Sequence, residues 1–474
     1  MSGRPTANDT IAAIATAPGA AGIGIIRISG PDAAAVLQQL FVPHRTHLLE
    51  DDALPSHRLC YGTVTDRHGG MLDEVMAVLM RAPHTYTRED VAEIQSHGSY
   101  LLQQAILAEI LAAGVRVAEP GEFTKRAFLA GRIDLTRAEA VIDLLQARSM
   151  GGVKLAAGQL QGKLYEQIAA VRDALVELLA LVELALDFPD DDVEILVPEQ
   201  LLARLEEQVE QPLQNLLALA ERGKVIREGI SAVIAGQPNV GKSSLLNQLL
   251  QEDRALVTDI PGTTRDTIEE LIVVRGIPVR LVDTAGIREH ENLVEELGIE
   301  RARQKLQEAE LVLFVVDAGR ELSRADRQLY RSLGEQQKKI IVLNKTDIAE
   351  PRRLEQISRE FAEVLQVRTA ARAGTGIGEL LDAVYQIIIG TEDKMQDKMQ
   401  QDQISCAPNL RHKTILEKTL AACTQIRQTL LAGAPADLLA VDLQAALDHL
   451  SDIVGLTTPD DVLDILFSQF CIGK

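Results

Sequence analysis

Residues 231–243 read SAVIAGQPNVGKS, and this stretch decides the fold of the middle of the chain. Its first five residues are mostly apolar, as in a buried strand. The next eight match G-x-x-x-x-G-K-S, a pattern whose glycines let backbone N–H groups approach phosphates at the start of a helix. We therefore predict a strand, a phosphate-binding loop and a helix. Lys242 is expected to face the β- and γ-phosphates of a nucleotide, and the Ser243 hydroxyl is expected to bind Mg²⁺.

Apolar runs of strand length recur along the middle of the chain, at residues 279–283, 311–317, 340–344 and 363–369. The segments between them have helical patterns. This alternation is typical of a parallel sheet that is covered by helices on both faces. We therefore predict a Ras-like P-loop α/β domain over residues 226–388.

Helical patterns on both sides of this domain, at residues 121–225 and 389–474, predict one discontinuous helical domain into which the α/β domain is inserted. In the first segment, Thr136 and Glu139 have the spacing of a capping box. The apolar residues that then fit one helix face are Val141, Ile142, Leu144 and Leu145. The polar repeat DKMQDKMQ at 393–400 is interpreted as a solvated linker.

Residues 1–120 mix strand-like runs with one helical pattern and predict a small α+β domain. The strand-like runs are 23–28, 74–79 and 91–95, and the helical pattern is 101–113.

No signal peptide is expected, because no basic segment precedes the small apolar residues near the start. The Leu-rich stretch 175–188 contains three carboxylates, which favours an amphipathic helix over a membrane span. The acidic run at 190–192 is interpreted as a loop before a helix rather than a metal site.

The composition indicates several domains and a reduced environment. A chain of 474 residues is too long for one core. Its net charge of −21 argues against a free-standing nucleic-acid binder, because phosphate contacts need a basic face, which a local patch or a partner can still supply. No C-x-x-C pair occurs among Cys60, Cys406, Cys423 and Cys471, so neither a zinc site nor a disulfide framework is indicated. Scattered thiols fit the cytoplasm.

Three further motifs follow the phosphate loop in the order found in GTP-binding proteins. Thr263-Thr264 lies in a glycine-containing loop, where a hydroxyl can complete the Mg²⁺ shell. Asp283 and Gly286 follow a strand, where the carboxylate can hold the metal through water and the glycine N–H can meet the γ-phosphate. These residues are expected to surround the terminal phosphate of the nucleotide.

The remaining motif, NKTD at 344–347, predicts a guanine site. Its carboxylate, that of Asp347, can accept two N–H bonds from guanine, and adenine does not offer that pair of donors. Thr369-Ala370-Ala371 is expected to contact the guanine O6 through its backbone. In this order after the phosphate loop, the motifs predict that the nucleotide is GTP.

One position departs from the Ras pattern. In Ras-like GTPases a glutamine after Asp-x-x-Gly orients the attacking water, and Ile287 occupies that place. The nearby Arg265 and Arg288 are most simply interpreted as surface charges that form salt bridges. Four carboxylates that can orient a water follow, and the residues alone do not choose among them: Glu289, Glu291, Glu295 and Glu296.

These motifs together resemble the MnmE (TrmE) family of tRNA-modification GTPases. The resemblance rests on GQPNVGKSSLLN, TDIPGTTRD, DTAGIR and the terminal FCIGK, and also on DTIAAIATAPGAAGIGIIRISG near the start and PGEFTKRAFLAGRIDLTRAEAV at 120–141. It extends over the whole length of the chain, and FCIGK is its most specific part.

The resemblance implies an answer to the missing glutamine. In that family the G domains pair across their switch regions and K⁺ takes the part of an arginine finger. The matching K⁺ ligands are Asn239, Thr258, Ile260 and Thr263, the Mg²⁺ ligands are Ser243 and Thr264, and the catalytic, water-orienting glutamate is Glu295. The GTP-binding residues implied by motifs and resemblance together are Asn239, Val240, Gly241, Lys242, Ser243, Ser244, Thr258, Asp259, Ile260, Pro261, Gly262, Thr263, Thr264, Asp283, Thr284, Ala285, Gly286, Asn344, Lys345, Thr346, Asp347, Thr369, Ala370 and Ala371.

The resemblance also implies a folate-binding N-terminal domain that holds a one-carbon tetrahydrofolate, in its 5,10-methylene or 5-formyl form. The matching positions are Arg27, Glu93, Arg132 and Lys474, where a carboxylate suits the N–H donors of a pterin and cations suit a glutamate tail. Arg132 replaces a lysine of some relatives, so its contact can differ in geometry. Cys471 is expected to be catalytic beside the folate, and a small buried residue is the alternative interpretation.

The function implied is that of a cytoplasmic, homodimeric GTPase that forms a heterotetramer with the flavoprotein MnmG. Together they would add an aminomethyl or carboxymethylaminomethyl group to C5 of the wobble uridine of tRNA. The flavin would belong to the partner, because the chain has no G-x-G-x-x-G after a strand. The alternative is a ribosome-assembly GTPase that acts as a switch on structured RNA.

Overall fold

The computed structural model of the protein describes residues 9–44, 54–187, 196–253, 269–283, 306–334, 337–390 and 406–474. The chain divides into two compact units, Met1–Ile142 with Leu447–Lys474, and Asp143–Ala446. The division into domains at 120/121, 225/226 and 388/389 remains a prediction. The repeat at 393–400 and the acidic run at 190–192 lie outside the described residues.

The strands of the first unit are β1 (Ile11–Ile14), β2 (Ala21–Ser29), β3 (Phe41–Pro43), β4 (Arg58–Thr65), β5 (Met71–Met80), β6 (Val91–Gly98) and β7 (Arg116–Val117). The strands of the second unit are β8 (Ile230–Ala235), β9 (Glu269–Val274), β10 (Ile277–Asp283), β11 (Leu311–Asp317), β12 (Lys338–Asn344) and β13 (Gln366–Arg368).

The first helices along the chain are α1 (Ala33–Leu40), α2 (Tyr100–Ala112), α3 (Glu122–Leu129), α4 (Leu135–Gln146), α5 (Met150–Leu160), α6 (Lys163–Asp187), α7 (Pro198–Leu205) and α8 (Gln211–Glu228). The others are α9 (Lys242–Asp253), α10 (Arg324–Arg331), α11 (Pro351–Glu360), α12 (Ile377–Ile389), α13 (Leu410–Leu431), α14 (Ala436–Val454) and α15 (Asp460–Ser468). A π-helical turn, Glu206–Glu210, joins α7 to α8. None of the described helices is both long enough and apolar enough to cross a membrane.

The first unit is built on a mixed sheet with the order β3-β4-β5-β6-β2-β1-β7. Its pairs are antiparallel except for β1 and β7. Helices α1 and α2 pack on one face over a buried cluster that includes Ile26, Ile94 and Ile106. The strands and the helix that the sequence predicts here are confirmed, and the α+β character of the unit follows from them.

Helix α4 begins in a different way from the prediction. Thr136 lies inside the helix and is fully buried, so Thr136 and Glu139 do not form a capping box. Instead, the Asp134 carboxylate accepts the Arg137 N–H at 3.1 Å and the Thr136 hydroxyl at 2.5 Å. An Asp at this position satisfies the unpaired N–H groups of the first turn. The predicted apolar face is also partly wrong, because Leu144 and Leu145 are exposed.

The second unit contains the predicted α/β layer, with strand order β13-β12-β11-β8-β10-β9. The central strands are parallel, and buried clusters lie on both faces, one with α9 and α12 and the other with α10 and α11. Two details differ from the prediction. β9 pairs antiparallel with β10 at the edge, so the sheet is mixed, and β13 is shorter than the predicted 363–369 because residues before it turn.

Helices from both sides of the α/β layer pack together in this unit. Helix α13 lies against α8. Arg427 on α13 donates at 2.5 Å to Glu210, in the π-helical turn that precedes α8. Lys413 on α13 pairs with Glu221 on α8. The helical layer is therefore formed from two segments of the chain that are separated by the sheet.

A charge network ties Asp9, which precedes β1, and Arg116 on β7 to α3. Arg116 donates from two nitrogens to the two oxygens of Glu122, at 2.7 and 3.0 Å. Arg126 donates to Glu122 at 2.9 Å and to Asp9 at 2.6 Å. Burial alone raises the pKa of Glu122, but the hydrogen bonds from Arg116, the Glu119 N–H and Arg126 lower it below its ordinary value. Burial also raises the pKa of the Asp9 carboxyl, but hydrogen bonds from Arg116 and Arg126 lower it below its ordinary value.

The network predicts an acid-dependent loss of stability. A lowered folded-state pKa means that the stabilisation is complete above the ordinary carboxylate pKa and is lost as the pH falls through the lowered value. Glu122→Gln removes the buried charge that the half-buried Arg116 and Arg126 share and is expected to cost about 2 kcal/mol at pH 7. The measurement is amide hydrogen exchange of peptides from β1 and α3 in increasing urea, for both proteins between pH 7 and pH 3.

The matched control is Glu109→Gln, which removes the exposed pair with Arg67 and is expected to cost at most about 1 kcal/mol. The difference between the native protein and Glu122→Gln should shrink toward pH 3. A difference that stays constant over this range would contradict the role of the network.

Candidate functional site

The phosphate loop has the predicted strand–loop–helix form. It runs from the end of β8 to the start of α9 at Lys242. The Lys242 ammonium is largely buried and donates to the carbonyls of Gly236 and Gln237, at 3.1 and 3.0 Å. Ser243 and Ser244 are exposed in the first turn of α9. A helix N-terminus with a buried lysine and two exposed serines suits the phosphates of a nucleotide and their Mg²⁺.

Asn344 joins the phosphate loop to the predicted guanine loop. It is 2% exposed, and its Nδ2 donates to the Val240 carbonyl at 2.9 Å. Its Oδ1 accepts the Ala371 N–H at 3.0 Å and the Thr369 hydroxyl at 3.2 Å. A Cβ on Gly241 would lie 2.2 Å from Asn344 Nδ2, and the φ of Gly241 is +102°, so only glycine fits there. Asn344 therefore acts as a structural link between two loops of the site.

Lys345 makes a second link across the same edge of the sheet. Its Nζ donates to the Asn239 carbonyl at 2.8 Å and to Asp317 Oδ2 at 2.7 Å. Lys345 and Asn239 both have left-handed backbone, with φ of +62° and +64°. Such conformations in non-glycine residues are held by surrounding structure and cluster at functional sites. The Lys345 ammonium is therefore held beside the phosphate loop by two acceptors.

The guanine-recognition residues differ in how far they are already engaged. Asp347 is exposed, and its carboxylate forms no hydrogen bond with any residue that the structure describes. By contrast, the N–H groups of Thr369, Ala370 and Ala371 donate to the Leu343 carbonyl, the Thr375 carbonyl and Asn344 Oδ1. Thr346 donates from its N–H and hydroxyl to the Thr369 carbonyl, at 3.1 and 3.0 Å. The carboxylate is open to a ligand, and the backbone segment serves to shape the loop.

The residues predicted around the γ-phosphate fall mostly outside the described part of the chain. These are Thr258, Asp259, Ile260, Pro261, Gly262, Thr263 and Thr264, then Thr284, Ala285, Gly286 and Ile287, and finally Glu295 with the other three candidate glutamates. Asp283 is described through its backbone, which ends β10 beside β8. Their assigned roles stay predictions.

In the first unit, the predicted folate residues form two neighbouring groups. Arg27 Nε donates to Glu93 Oε1 at 2.8 Å, across a register pair of β2 and β6, and Arg27 NH1 reaches the Gly473 carbonyl at 3.5 Å. Arg132 lies over the Tyr86 ring at 4.7 Å and donates to the Tyr86 carbonyl at 3.3 Å. Tyr86 packs against the buried cluster of Phe123, and Arg27 lies 5.7 Å from the Phe123 ring centre.

The C-terminal tail, which carries Cys471 and Lys474, reaches the first of these groups through the Gly473 carbonyl. Gly473 is buried with a φ of +95°, and a Cβ there would lie 2.5 Å from the Ile14 carbonyl oxygen. The Cys471 carbonyl accepts the Gly121 N–H at 3.4 Å. Cys471 is exposed, which removes the alternative that it is a buried packing residue. By contrast, burial raises the pKa of the Cys423 thiol to about 12.

One residue that contacts the predicted site residues was not itself predicted from the sequence. Asp317 ends β11, directly beside Asn344 on β12, and holds Lys345 through its carboxylate. The available signal was an Asp at the carboxyl end of the apolar run 311–317, next to the strand that carries NKTD. Polar groups at the carboxyl ends of parallel strands meet at one edge, where α/β proteins bind their ligands.

Comparison with known proteins places the whole chain in one family. The family model of the MnmE helical domain matches residues 135–471, and that of the GTP-binding protein TrmE N-terminus matches residues 10–132. The tRNA modification GTPase MnmE of Desulfotalea psychrophila is 48% identical over 471 residues, which cover 98% of each chain. The protein of the same description from Carboxydothermus hydrogenoformans is 44% identical over 98% of this chain and 99% of its own. That of Geobacter sulfurreducens is 45% identical over the same shares. Because a family model covers more than half of the sequence and these relatives align along nearly all of it, the chain belongs to the MnmE family of tRNA modification GTPases.

Proposed function

We propose that the protein is a potassium-dependent GTPase that, with a flavoprotein partner, adds an aminomethyl or carboxymethylaminomethyl group to C5 of the wobble uridine of tRNA. The observation that carries the proposal is the linked phosphate loop and guanine loop, joined through Asn344, in a chain of this family. The relatives' description as tRNA modification GTPases favours this role over a ribosome-assembly switch.

The residues predicted around GTP are assigned distinct roles in hydrolysis. Lys242 would neutralise the phosphates, Asp347 would accept the guanine N–H groups, and Glu295 would orient the water. Ser243 and Thr264 would hold Mg²⁺. K⁺, held by Asn239, Thr258, Ile260 and Thr263, would supply the positive charge that an arginine finger supplies elsewhere. The exposed Ser243 at the start of α9 supports the metal assignment.

The proposed folate site lies in the first unit. The Arg27–Glu93 pair, the tail carbonyl of Gly473 and the stacked Arg132 provide a carboxylate and cations of the kind that a pterin and its glutamate tail need. A bound one-carbon tetrahydrofolate would supply the carbon unit. The chain's own residues would hold it, and the exposed Cys471 thiol would act beside it.

The proposed assembly is a homodimer that joins the flavoprotein MnmG in a heterotetramer, in the cytoplasm. An acidic chain, with a net charge of −21, gains from a partner that carries part of the tRNA contact, because phosphate binding needs basic groups. GTP hydrolysis would drive the pairing and separation of the G domains rather than the carbon chemistry.

The first test of the proposal concerns the cation. The rate of GTP hydrolysis should rise strongly when K⁺ replaces Na⁺ at equal ionic strength. Loss of an arginine finger changes rates by about 10³- to 10⁵-fold, so a cation in that role should have a large effect. The rate should also rise with protein concentration as G domains pair. Equal steady-state rates in the two salts would disprove the potassium role.

The second test concerns guanine recognition. Asp347→Asn replaces an acceptor by a donor, so GTP should bind more weakly and xanthosine triphosphate, whose 2-oxo group accepts, should bind better. Nucleotide titrations measure both affinities. Asp382→Asn is the matched control, because Asp382 is exposed in the same unit and pairs with Arg275. GTP affinity unchanged in Asp347→Asn, or lowered equally in the control, would rule out the assignment.

The third test separates the two chemistries. Cys471→Ser keeps the size and polarity of the side chain but removes a readily formed thiolate. We expect normal folding, GTP binding and hydrolysis, and loss of wobble-uridine modification in tRNA nucleoside analysis. Ser468→Ala, an exposed change in the same terminal segment, should leave both activities intact. Normal modification in Cys471→Ser would refute the catalytic role, and a parallel fall in GTP hydrolysis would indicate a folding defect.

A further inference from the structure

We infer that Asp317 is a positioning residue for the guanine nucleotide, because its carboxylate holds the Lys345 ammonium against the phosphate loop. Asp317 was not among the site residues predicted from the sequence. The inference rests on the proposed placement of GTP at the edge formed by residues 236–243 and 344–347.

The geometry gives Asp317 two distinct contacts. One carboxylate oxygen, Oδ2, accepts from Lys345 Nζ at 2.7 Å. The other, Oδ1, accepts the Gly319 N–H at 2.9 Å, and Arg353 holds the Gly319 carbonyl at 2.7 Å. The Asp317 side chain is 13% exposed. The carboxylate is therefore anchored to its own loop on one side and bound to the lysine on the other.

The lysine that it holds has little freedom left. Lys345 Nζ also donates to the Asn239 carbonyl at 2.8 Å, and its backbone is left-handed. A lysine side chain that is free in solution loses much rotamer freedom when a ligand orders it. An ion pair that orders the side chain beforehand removes that cost from nucleotide binding. Asp317 therefore acts on the nucleotide through Lys345 and the backbone of the phosphate loop.

The alternative role for Asp317 is only to support the loop after β11. The Gly319 contact serves that role, and Asn at position 317 can keep it because its Oδ1 is still an acceptor. Asp317→Asn therefore removes the charge that faces Lys345 and preserves the contact to the loop. The two roles then predict different results for nucleotide affinity.

The experiment measures dissociation of the fluorescent nucleotide mant-GDP by stopped flow from the full chain. Asp317→Asn should release it about tenfold faster, as expected for loss of one charge-assisted hydrogen bond in a partly exposed pair. The rise in KM for GTP should exceed the change in kcat, because the contact is present in the ground state. Asp317→Glu keeps the charge and should recover part of the lost affinity. Glu360→Gln, which breaks an exposed pair with Arg327 in the same unit, should have no effect.

A double-mutant cycle with Lys345→Met tests whether Asp317 acts through the lysine. In that background Asp317→Asn should change the dissociation rate less than about twofold, because the interaction has already gone. A tenfold effect that persists without the lysine would overturn the inference, as would an unchanged rate in Asp317→Asn alone. Lys242→Ala tests the site itself. Unchanged mant-GDP binding in that variant would refute the proposed GTP site, independently of Asp317.

Discussion

The edge of the sheet that carries the phosphate loop and the guanine loop depends on the side-chain amide of Asn344. A buried amide without partners is costly, and here both ends are satisfied, by the Val240 carbonyl on one side and by the Ala371 N–H and Thr369 hydroxyl on the other. Through these bonds Asn344 connects Val240 of the phosphate loop, 104 positions earlier in the chain, to the segment 369–371 that follows it. They can form because β8, β11 and β12 are parallel, so that their carboxyl ends lie at one edge. Lys345 and Asp317 add a second connection beside the first.

The first unit shows a comparable closure between the two ends of the chain. The tail after α15 returns to β1, where the buried Gly473 lies against Ile14, and Arg27 on β2 contacts the Gly473 carbonyl. Gly121 lies as close to the end of α15, because a Cβ on Gly121 would be 2.6 Å from the Phe467 carbonyl oxygen and 3.0 Å from the Phe470 side chain. This docking holds the backbone on both sides of the exposed Cys471, at Phe470 and at Gly473, and Gly473 contacts Arg27 of the Arg27–Glu93 pair. A terminal segment that would otherwise fray is thereby made part of a candidate site.

In the second unit, the helical layer and the sheet are connected without a linker. Helix α8 ends at Glu228 and β8 begins at Ile230, so the strand that leads into the phosphate loop continues directly from the helix. Arg227, in the last turn of α8, donates to the carbonyls of Ala407 and Pro408, which precede α13. The chain therefore enters the α/β layer directly from α8, and residues 407 and 408, which come after that layer in the sequence, lie beside the same helix. This arrangement gives the physical basis for a discontinuous helical layer.

The sequence by itself determined the elements and the chemistry that local patterns encode. The apolar run and glycine spacing at 231–243 were sufficient for the strand, loop and helix, and four of the five predicted strands of the α/β layer are present with little change. The antiparallel β9 was not predicted because its apolar run, 271–274, has only four residues, and a run that short does not by itself identify a strand. The cap of α4 was assigned to Thr136 instead of Asp134 because both residues favour helix starts, and only packing shows which of them lies inside the helix.

Tertiary structure alone decided which groups meet. Asn344 was expected from its motif, but its bonds to Val240 and Ala371 depend on strand order, which local pattern does not encode. Asp317 was not predicted for the same reason, since an Asp after a strand acquires a role only when its neighbour in the sheet is known. Arg27 and Glu93 are 66 positions apart and became a pair through the register of two antiparallel strands. Contacts of this kind arise from long-range packing, whereas propensity and spacing describe only neighbours along the chain.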